Sequence, residues 1–435
     1  MRPFSQKSTR ESTRASTQES TRHLVIVGNG MACHRLVEAL VKSPARPARI
    51  TVIGQEPVPA YNRILLSPLL AGETDRAALT LREAHWYAEH GITLRLGERV
   101  LSIDPDKQRV VTERAQLGFD ALVLATGSTP AWPEVPGIAL EGVNGFRDLQ
   151  DAETLGEIAR RGGQAVVIGG GLLGLEAAEG LRKRSGGALA VSVLQRSERL
   201  MNRQLDAHAG ALLKTTLETR GLAIHTGARL DRIIDDGQGK VAGVALEDGR
   251  VLEAQSVIVA AGITPNDDLA RRAGLACDRA ICVDHHLRTS HPAIYALGEC
   301  CQFEEHTFGL VEPIWRQVEV LARVLCGESG AGYVEAPSAT KLKISGIDLY
   351  AFGPVEAAID HEVLCYSDPE SGEYRRLLLK DGRIEGAVLY GDTAQGPWYF
   401  AKAQQGADLS AARPALLFGQ ADVETLLHTP TQEAA

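Results

Sequence analysis

The chain has 435 residues, of which 44% are hydrophobic, and a formal net charge of -9. This length allows roughly two to three domains with sizeable cores. No long block of Lys or Arg follows residue 22, which argues against nucleic acid or an anionic membrane as a partner. No apolar run approaches the roughly 20 residues of a membrane-spanning helix, so no membrane association is expected.

The first 22 residues repeat Ser-Thr-Arg and carry almost no apolar side chains. They are therefore predicted to form a disordered tail. An organelle transit peptide is the alternative, but Glu11 and Glu19 count against it. Residues 425–435 are also expected to be loose.

Seven cysteines are scattered along the chain without a Cys-x-x-Cys motif. An odd, scattered set is typical of a reducing cytoplasm, and no metal or iron–sulfur site is expected. Cys277 and Cys282 are a conceivable redox pair. However, Cys282 lies in an alternating, strand-like segment, where a small apolar filler is the simpler interpretation.

The ordered part begins with a dinucleotide-binding fingerprint, in which an apolar run is followed by a glycine turn and a helical pattern. Such a turn places a helix N-terminus against a pyrophosphate. Cys33 replaces the third glycine and is small enough for close helix–strand packing. Glu56 follows 23 residues later, where a carboxylate accepts from the ribose hydroxyls of an adenosine. The cofactor-binding residues predicted here are Gly28, Asn29, Gly30, Met31, Gln55 and Glu56.

A second fingerprint follows, with Gly169, Gly171, Leu172 and Gly174 as predicted cofactor contacts. Here the ribose-binding acid is missing, since Gln195 and Arg196 stand at the expected place. A carboxylate would repel a 2′-phosphate, whereas Arg can pair with one. The second site is therefore hypothesised to accept NADPH as well as NADH. That Arg196 is merely exposed is an equally good interpretation.

Two further strands end in small residues, at Ala125-Thr126-Gly127 and at Gly262, and a third ends at Gly298-Glu299. A helix is expected over residues 312–327. From about residue 338 the pattern changes to alternating strands over 341–350, 374–379 and 386–389. Helical patterns follow these strands. This change predicts a small α+β domain at the C-terminal end.

The order of these motifs resembles the FAD-dependent pyridine nucleotide reductases of the rubredoxin-reductase type. Narrower motifs are similar to the flavoprotein module of assimilatory nitrite and nitrate reductases. They are Tyr61-Asn-Arg-Ile-Leu-Leu-Ser67, Gly298-Glu-Cys300, Phe308-Gly-Leu-Val-Glu-Pro313 with Gln317, Lys341-Leu-Lys-Ile-Ser-Gly346, and Gly391-Asp392 with Gly396-Pro-Trp398.

The resemblance implies an α/β fold with two Rossmann-like domains of the glutathione-reductase type and a small α+β C-terminal domain. The FAD-binding domain is expected to be discontinuous, and the C-terminal domain is expected to form an interface. The expected division is a tail over 1–22, an FAD-binding domain over 23–147 and 263–330, an NAD(P)-binding domain over 148–262, and an interface domain over 335–422.

The resemblance also assigns roles to single residues. Arg63 matches a basic residue near the flavin and its phosphates, and the main chain of Val100 matches an adenine contact. Glu299 stands where many relatives have Asp and would accept from the ribityl chain. The small-residue turns are also assigned to the cofactor, through Ala125, Thr126, Gly127, Gly262 and Gly298.

Around the flavin ring the resemblance points to Val311 at a helix start and to Lys341. A positive dipole or cation there favours reduced, anionic flavin. Without the family pattern, Val311 would be a core residue and Lys341 a surface charge. Glu176 matches a family acid between flavin and nicotinamide, and Glu176 and Lys341 are the predicted catalytic residues.

The chain departs from the family at two points. Many relatives carry a lysine at the position of Pro68, so any role of that lysine must be lost or taken by another group. The paired redox cysteines of glutathione-reductase relatives are absent. Electrons are therefore expected to leave directly from the flavin. Because nothing in the sequence resembles the iron–sulfur and sirohaem domains of long nitrite reductases, this chain alone is not expected to reduce nitrite.

The predicted enzyme takes a hydride from NADH or NADPH onto FAD and passes electrons to a separate redox protein. The preferred partner is a nitrite or nitrate reductase, with rubredoxin or ferredoxin as the alternative. A nucleotide-binding redox sensor without turnover remains open, and direct reduction of oxygen is less favoured. A homodimer is possible.

Overall fold

The computed structural model describes residues 22–342, 344 and 346–428. The predicted N-terminal tail thus lies, apart from Arg22, outside the described residues. The first half contains β1 His23–Val27, α1 Met31–Val41, β2 Arg49–Ile53, α2 Leu66–Ala71, α3 Ala84–Glu89, β3 Ile92–Arg95, β4 Val100–Asp104, β5 Arg109–Thr112, β6 Gln116–Gly118, β7 Ala121–Leu124, β8 Ser128–Pro130, β9 Val143–Gly145, α4 Leu149–Arg161, β10 Gly163–Ile168, α5 Leu172–Ser185 and β11 Leu189–Leu194.

The second half contains α6 Ala207–Thr219, β12 Ala223–His225, β13 Leu230–Asp235, β14 Val241–Leu246, β15 Val251–Glu253, β16 Ser256–Val259, β17 Ile263–Pro265, α7 Asp268–Arg272, β18 Ile281–Val283, β19 Ile294–Ala296, β20 Cys301–Phe303, β21 His306–Thr307, α8 Val311–Leu325, β22 Thr340–Lys341, β23 Leu349–Phe352, β24 Glu362–Asp368, β25 Glu373–Lys380, β26 Arg383–Tyr390, α9 Gly396–Gln404 and α10 Gln420–His428. Short 3-10 helices cover Arg63–Leu65, Ala77–Leu79 and Ser410–Phe418.

Two five-stranded parallel sheets form the body of the molecule. The first has the order β19-β7-β1-β2-β3 and the second the order β12-β11-β10-β16-β9. Their central strands are continuous runs of buried aliphatic residues, as expected for parallel sheets covered on both faces. Each glycine turn therefore leaves the carboxyl end of a central strand, where open α/β sheets bind ligands.

The two sheets repeat each other down to single hydrogen bonds. Gly28 donates its N–H to Ile53 at 2.8 Å, and Gly169 donates to Leu194 at 2.8 Å. On the other side, Ala125 donates to Val27 and Ala260 donates to Ile168. The predicted α/β fold with two Rossmann-like units is thus confirmed.

The C-terminal region forms a third sheet with the antiparallel order β22-β23-β26-β25-β24. The single strand predicted over 341–350 is wrong. β22 and β23 are two paired strands, and Gly346, with a φ of +71°, lies in the turn between them. The expectation that residues 425–435 are loose is wrong for its first part, since α10 runs to His428; residues 429–435 lie outside the described residues.

The third sheet packs against the second parallel unit. Leu349, Ala351 and Val388 share a buried cluster with residues of α5 and α6. Beside this cluster, Glu179 of α5 is only 2% exposed and accepts hydrogen bonds from Arg182 and Arg220. Arg220 also donates to the Gly346 carbonyl at 2.7 Å, so this ion network ties α5 and α6 to the C-terminal sheet.

Glu179→Gln is expected to lower the free energy of unfolding at pH 7 by about 3 kcal/mol, because two arginines lose their buried counter-charge. Burial opposes ionisation, but Arg182 and Arg220 outweigh it and hold the pKa of Glu179 below its ordinary value. The contribution of this carboxylate is therefore complete above pH 4.5, the ordinary carboxyl pKa, and is lost as the pH falls through the lower folded-state pKa.

Urea unfolding at several pH values measures this effect. Glu73→Gln is the matched control, because Glu73 is 41% exposed and pairs with Lys183, which lies in α5 as Glu179 does. Equal losses in the two variants would contradict a special role for the buried network.

Candidate nucleotide-binding site

The first glycine turn admits only glycine at Gly28, which has a φ of +108°. A Cβ there would lie 2.1 Å from the Ala125 carbonyl oxygen. At Gly30, by contrast, a Cβ would meet no described atom within 4 Å, so the backbone before α1 is open to a ligand. Asn29 has a buried Oδ1 without a hydrogen-bond partner among the described residues.

The second turn has the same geometry. A Cβ on Gly169 would lie 2.3 Å from the Ala260 oxygen, and one on Gly171 would meet no described atom within 4 Å. Gly174 packs so closely that a Cβ would approach the Gly169 oxygen to 1.9 Å. The first unit has Cys33 at this position, fully buried in α1, and Leu172 begins α5 as Met31 begins α1.

Gln195, a predicted cofactor contact, also holds the second glycine turn. Its Oε1 accepts from the Gly170 N–H at 2.9 Å, and its Nε2 donates toward Arg199 and Asn202. Arg196, the next residue, is exposed. The exposed side chain of Arg196 is compatible with both interpretations, a contact to a 2′-phosphate and plain exposure to solvent.

On the first unit, Glu56 and Arg63 form an ion pair. The Tyr61 hydroxyl donates to Glu56 at 2.8 Å, and the Arg63 guanidinium lies 4.9 Å from the Tyr61 ring centroid. Burial raises the pKa of the Tyr61 hydroxyl. Burial disfavours the charged guanidinium, but Tyr61 and Glu56 outweigh it and raise the pKa of Arg63. Gln55, before Glu56, is exposed.

Glu299 lies at the centre of a second polar group. It forms an ion pair with Arg147 and accepts from the Ser128 hydroxyl at 2.8 Å. Arg147 also donates to the Ser128 carbonyl at 3.1 Å, while its own carbonyl accepts from Arg63 at 2.9 Å. Arg147 therefore connects the two carboxylates, Glu56 and Glu299, that were predicted to hold the resident cofactor.

The turn before Glu299 is fixed by a buried glutamine. Gln317 Oε1 accepts from the Gly298 N–H at 2.8 Å, and Gly298 has a φ of +90°. Gln317 lies in α8, which begins at Val311 as predicted from the sequence. Gln317 therefore ties α8 to the Gly298-Glu299 turn.

The two predicted catalytic residues lie on different elements. Glu176 of α5 accepts from the Ser67 hydroxyl of α2 at 2.8 Å, which links the second unit to the segment after β2. Lys341 is exposed, and its Nζ lies 5.2 Å from the Tyr350 ring centroid. Val100 begins β4 and is buried.

Three of the free thiols near these turns are fully buried: Cys33, Cys300 and Cys301. Burial raises the pKa of each, so none is a reactive thiolate at neutral pH. Burial likewise raises the pKa of Cys277 to about 11. The raised pKa values of these buried thiols do not support a relay of electrons through cysteines.

The residues of the first site fit FAD. The open backbone at Gly30 and the start of α1 suit a pyrophosphate, and Glu56 and Glu299 can accept from ribose and ribityl hydroxyls. Arg63 and Arg147 supply nearby positive charge. The second site has the same turn with Gln195 in place of the ribose-binding acid, which suits a phosphorylated or unphosphorylated nicotinamide nucleotide.

Arg147 and Ser128 were missed by the sequence analysis. Asp148 caps α4 and forms a capping box with Asp151, a pattern visible in the sequence that places Arg147 at a helix start. However, Glu299 lies 152 residues further on, and no local pattern reveals that contact.

Comparison with known families agrees with this geometry. The model of the family described as "Pyridine nucleotide-disulphide oxidoreductase" matches residues 22–320. The model described as "Rubredoxin NAD+ reductase C-terminal domain" matches residues 337–406. Among solved structures, a covalent putidaredoxin reductase–putidaredoxin complex has a TM-score of 0.82 at 26% identity, covering 95% of this chain and 100% of that one.

Curated relatives carry related names. A nitrite reductase [NAD(P)H] of Bacillus subtilis is 38% identical over 390 residues, which are 89% of this chain and 48% of the relative. An assimilatory nitrate reductase electron transfer subunit of the same organism is 39% identical over 86% of this chain and 48% of its own length. The chain thus spans about half of these two relatives.

A third relative is matched over most of its length. The biphenyl dioxygenase system ferredoxin–NAD(+) reductase component of Paraburkholderia xenovorans is 32% identical over 86% of this chain and 90% of its own length. The chain therefore belongs to the pyridine nucleotide-disulphide oxidoreductase family.

Proposed function

We propose that this chain is the electron-transfer component of assimilatory nitrate or nitrite reduction. It takes reducing equivalents from NADH or NADPH and passes them to a separate redox protein. The observation that carries the proposal is the pair of matching glycine turns at the carboxyl ends of two parallel sheets, the first of which is flanked by the Glu56–Arg63 and Glu299–Arg147 ion pairs. The names of the Bacillus subtilis relatives support the pathway.

When bound, FAD supplies an acceptor for the two electrons of a nicotinamide hydride. The chain's own residues hold the cofactor in position and set the charges around it. Backbone N–H groups after Gly28 receive a pyrophosphate, and Glu56 and Glu299 accept from hydroxyl groups. Glu176 and Lys341 are proposed to act beside the reacting rings. The buried thiols at Cys33, Cys300 and Cys301 take no part, so electrons leave without a dithiol step.

A ferredoxin or rubredoxin reductase is the second candidate. It is favoured by the match over 90% of the Paraburkholderia ferredoxin–NAD(+) reductase component and by the C-terminal family model.

We also propose a cytoplasmic location, which the absence of disulfides among the seven cysteines of the described residues supports. None of the helices in the described part combines the length and apolar composition needed to cross a bilayer.

Anaerobic spectroscopy tests the proposal. The purified FAD-loaded protein should bleach on addition of NADH or NADPH, and an added acceptor protein should restore the yellow colour. Fast restoration by the catalytic subunit of an assimilatory nitrate or nitrite reductase supports the first candidate. Fast restoration only by ferredoxin or rubredoxin supports the second, and bleaching without turnover on any acceptor would indicate a redox sensor.

The donor preference gives a further prediction. Arg196→Ala is expected to lower kcat/KM for NADPH by roughly tenfold or more, because a charge-assisted bond to the 2′-phosphate is lost, and to leave NADH within twofold. Gln195→Glu keeps an acceptor for the Gly170 N–H but adds a negative charge, so it should also reduce NADPH use. Steady-state kinetics with both donors measure this.

Arg232→Ala serves as the control, because Arg232 is exposed and pairs with its neighbour Asp231. A strong preference for NADH that Arg196→Ala leaves unchanged would contradict a role for Arg196 in donor choice.

A further inference from the structure

Two crossings of the chain join the first parallel unit to the second. One leaves β7 through Ala125-Thr126-Gly127, and the other leaves β16 and returns through residues 260–267. The crossings are paired with each other, since β8 and β17 form a two-stranded antiparallel ribbon. At its far end the Ala131 N–H donates to the Gly262 carbonyl at 3.0 Å.

The near end of this ribbon is closed by a reciprocal pair of side chains. The Thr126 hydroxyl donates to the Asn266 carbonyl at 2.7 Å, and Asn266 Nδ2 donates to the Thr126 carbonyl at 2.9 Å. The Asn266 N–H also donates to the Gly127 carbonyl at 2.9 Å. We call these three bonds the Thr126–Asn266 clasp. Its two residues are 140 positions apart in the chain.

A ribbon of two three-residue strands has little stability of its own, because isolated two-stranded pairs are marginal in water. The clasp adds two bonds from side chains to backbone at the end of the ribbon beside β7, where the first crossing begins and the second crossing ends. Thr126 and Asn266 are only partly buried, so apolar packing alone does not hold them there. The clasp is thus placed to fix the angle at which one unit meets the other.

We propose that Thr126 and Asn266 are positioning residues for hydride transfer, because their clasp sets the orientation of the nicotinamide-binding unit relative to the flavin-binding unit. This inference rests on the proposed function. Hydride transfer requires the reacting atoms to be about 3–3.5 Å apart, and a displacement of about 1 Å costs on the order of 100-fold in rate. A small change in the angle of the ribbon therefore has a large kinetic effect. Asn266, unlike Thr126, is not among the predicted nucleotide contacts, so its replacement tests this effect separately from binding.

The test uses FAD-loaded protein and Asn266→Ala. Anaerobic stopped-flow bleaching by NADH should be roughly 10- to 100-fold slower at saturating donor, while the donor concentration for half-maximal rate stays within twofold. The FAD-to-protein ratio should not change. Thr264→Ala, an exposed position of the same ribbon, is the matched control and should bleach at the unaltered rate.

A second readout needs no donor. In the oxidised, FAD-loaded protein, hydrogen exchange of the backbone amides over residues 261–267 should be faster in Asn266→Ala than in Thr264→Ala. Asn266→Asp removes the Nδ2 donor of the clasp without shortening the side chain and should bleach as slowly as Asn266→Ala. This variant carries the test if Asn266→Ala does not fold.

Bleaching of Asn266→Ala within twofold of the unaltered rate would overturn the inference. So would a slow rate explained by a matching loss of FAD, since the clasp would then serve only folding. If neither NADH nor NADPH bleaches the unaltered protein, the proposed function fails and the positioning role fails with it. Hydrogen exchange would in that case still show whether the clasp holds the ribbon closed, which separates the two failures.

Discussion

Gly28→Ala is expected to destabilise the protein by about 3 kcal/mol or more and to abolish FAD retention. The new Cβ would lie 2.1 Å from the Ala125 oxygen at a backbone φ of +108°, so steric overlap and strain add. Gly30→Ala should behave differently. Gly30 has extended backbone with a φ of -92°, and its Cβ would meet no described atom within 4 Å. This variant should fold with a stability change below about 1 kcal/mol.

Gly30→Ala is nevertheless expected to lose at least about tenfold in FAD affinity, because the second glycine of the fingerprint lets the backbone approach the pyrophosphate. Thermal unfolding followed by circular dichroism separates the two effects from the FAD-to-protein ratio measured by absorbance. Full FAD retention by Gly30→Ala would contradict the assignment of this turn. Normal stability of Gly28→Ala would contradict the described contact with Ala125.

Arg147→Met is expected to lower the free energy of unfolding by about 3 kcal/mol. The Arg147 and Glu299 side chains are only 22% and 16% exposed, so removal of the cation leaves a largely buried carboxylate whose remaining partner among the described residues is the Ser128 hydroxyl. Arg147 also bonds the Ser128 carbonyl, so the variant loses a link to the first crossing of the chain.

The double variant Arg147→Met/Glu299→Gln should recover part of this loss, because the uncompensated charge is gone. Urea unfolding of the three variants gives the coupling free energy. Arg76→Met is the control, since Arg76 and Glu153 form an exposed pair worth well under 1 kcal/mol. A double variant as unstable as Arg147→Met would show that the ion pair is not the source of the effect.

Much of the candidate site could be predicted because its backbone is encoded locally. Gly28 and Gly169 have positive φ in strand–turn–helix patterns that the sequence shows twice, although the carbonyl oxygens that also exclude a Cβ belong to Ala125 and Ala260, at the ends of other strands. The helix that begins at Val311 was also predictable, because the pattern of a helix lies in consecutive residues. The strand prediction over 341–350 failed because the apolar pattern continues across Gly346, where the chain turns back on itself.

The side-chain partners could not be predicted. Glu56 is five residues from Tyr61 and seven from Arg63, yet Arg63 also bonds the carbonyl of Arg147, 84 residues away. Gln195 was predicted to contact a cofactor, but no local pattern showed that its Oε1 also accepts from the Gly170 N–H. Such contacts depend on the packing of elements that are far apart in the sequence, and no periodic pattern of residues predicts them.

The sequence by itself determined the two nucleotide-binding turns, their order along the chain and the loss of the acid at Gln195, because glycine turns and apolar strands are written in consecutive residues. Only the tertiary structure decided which charges meet and how the two units are joined. The pairing of Arg147 with Glu299 and the Thr126–Asn266 clasp each bring together residues more than 100 positions apart. They exist because the packing of separate sheets brings the ends of their strands together: β9 and β19 for the ion pair, and β7 and β17 for the clasp.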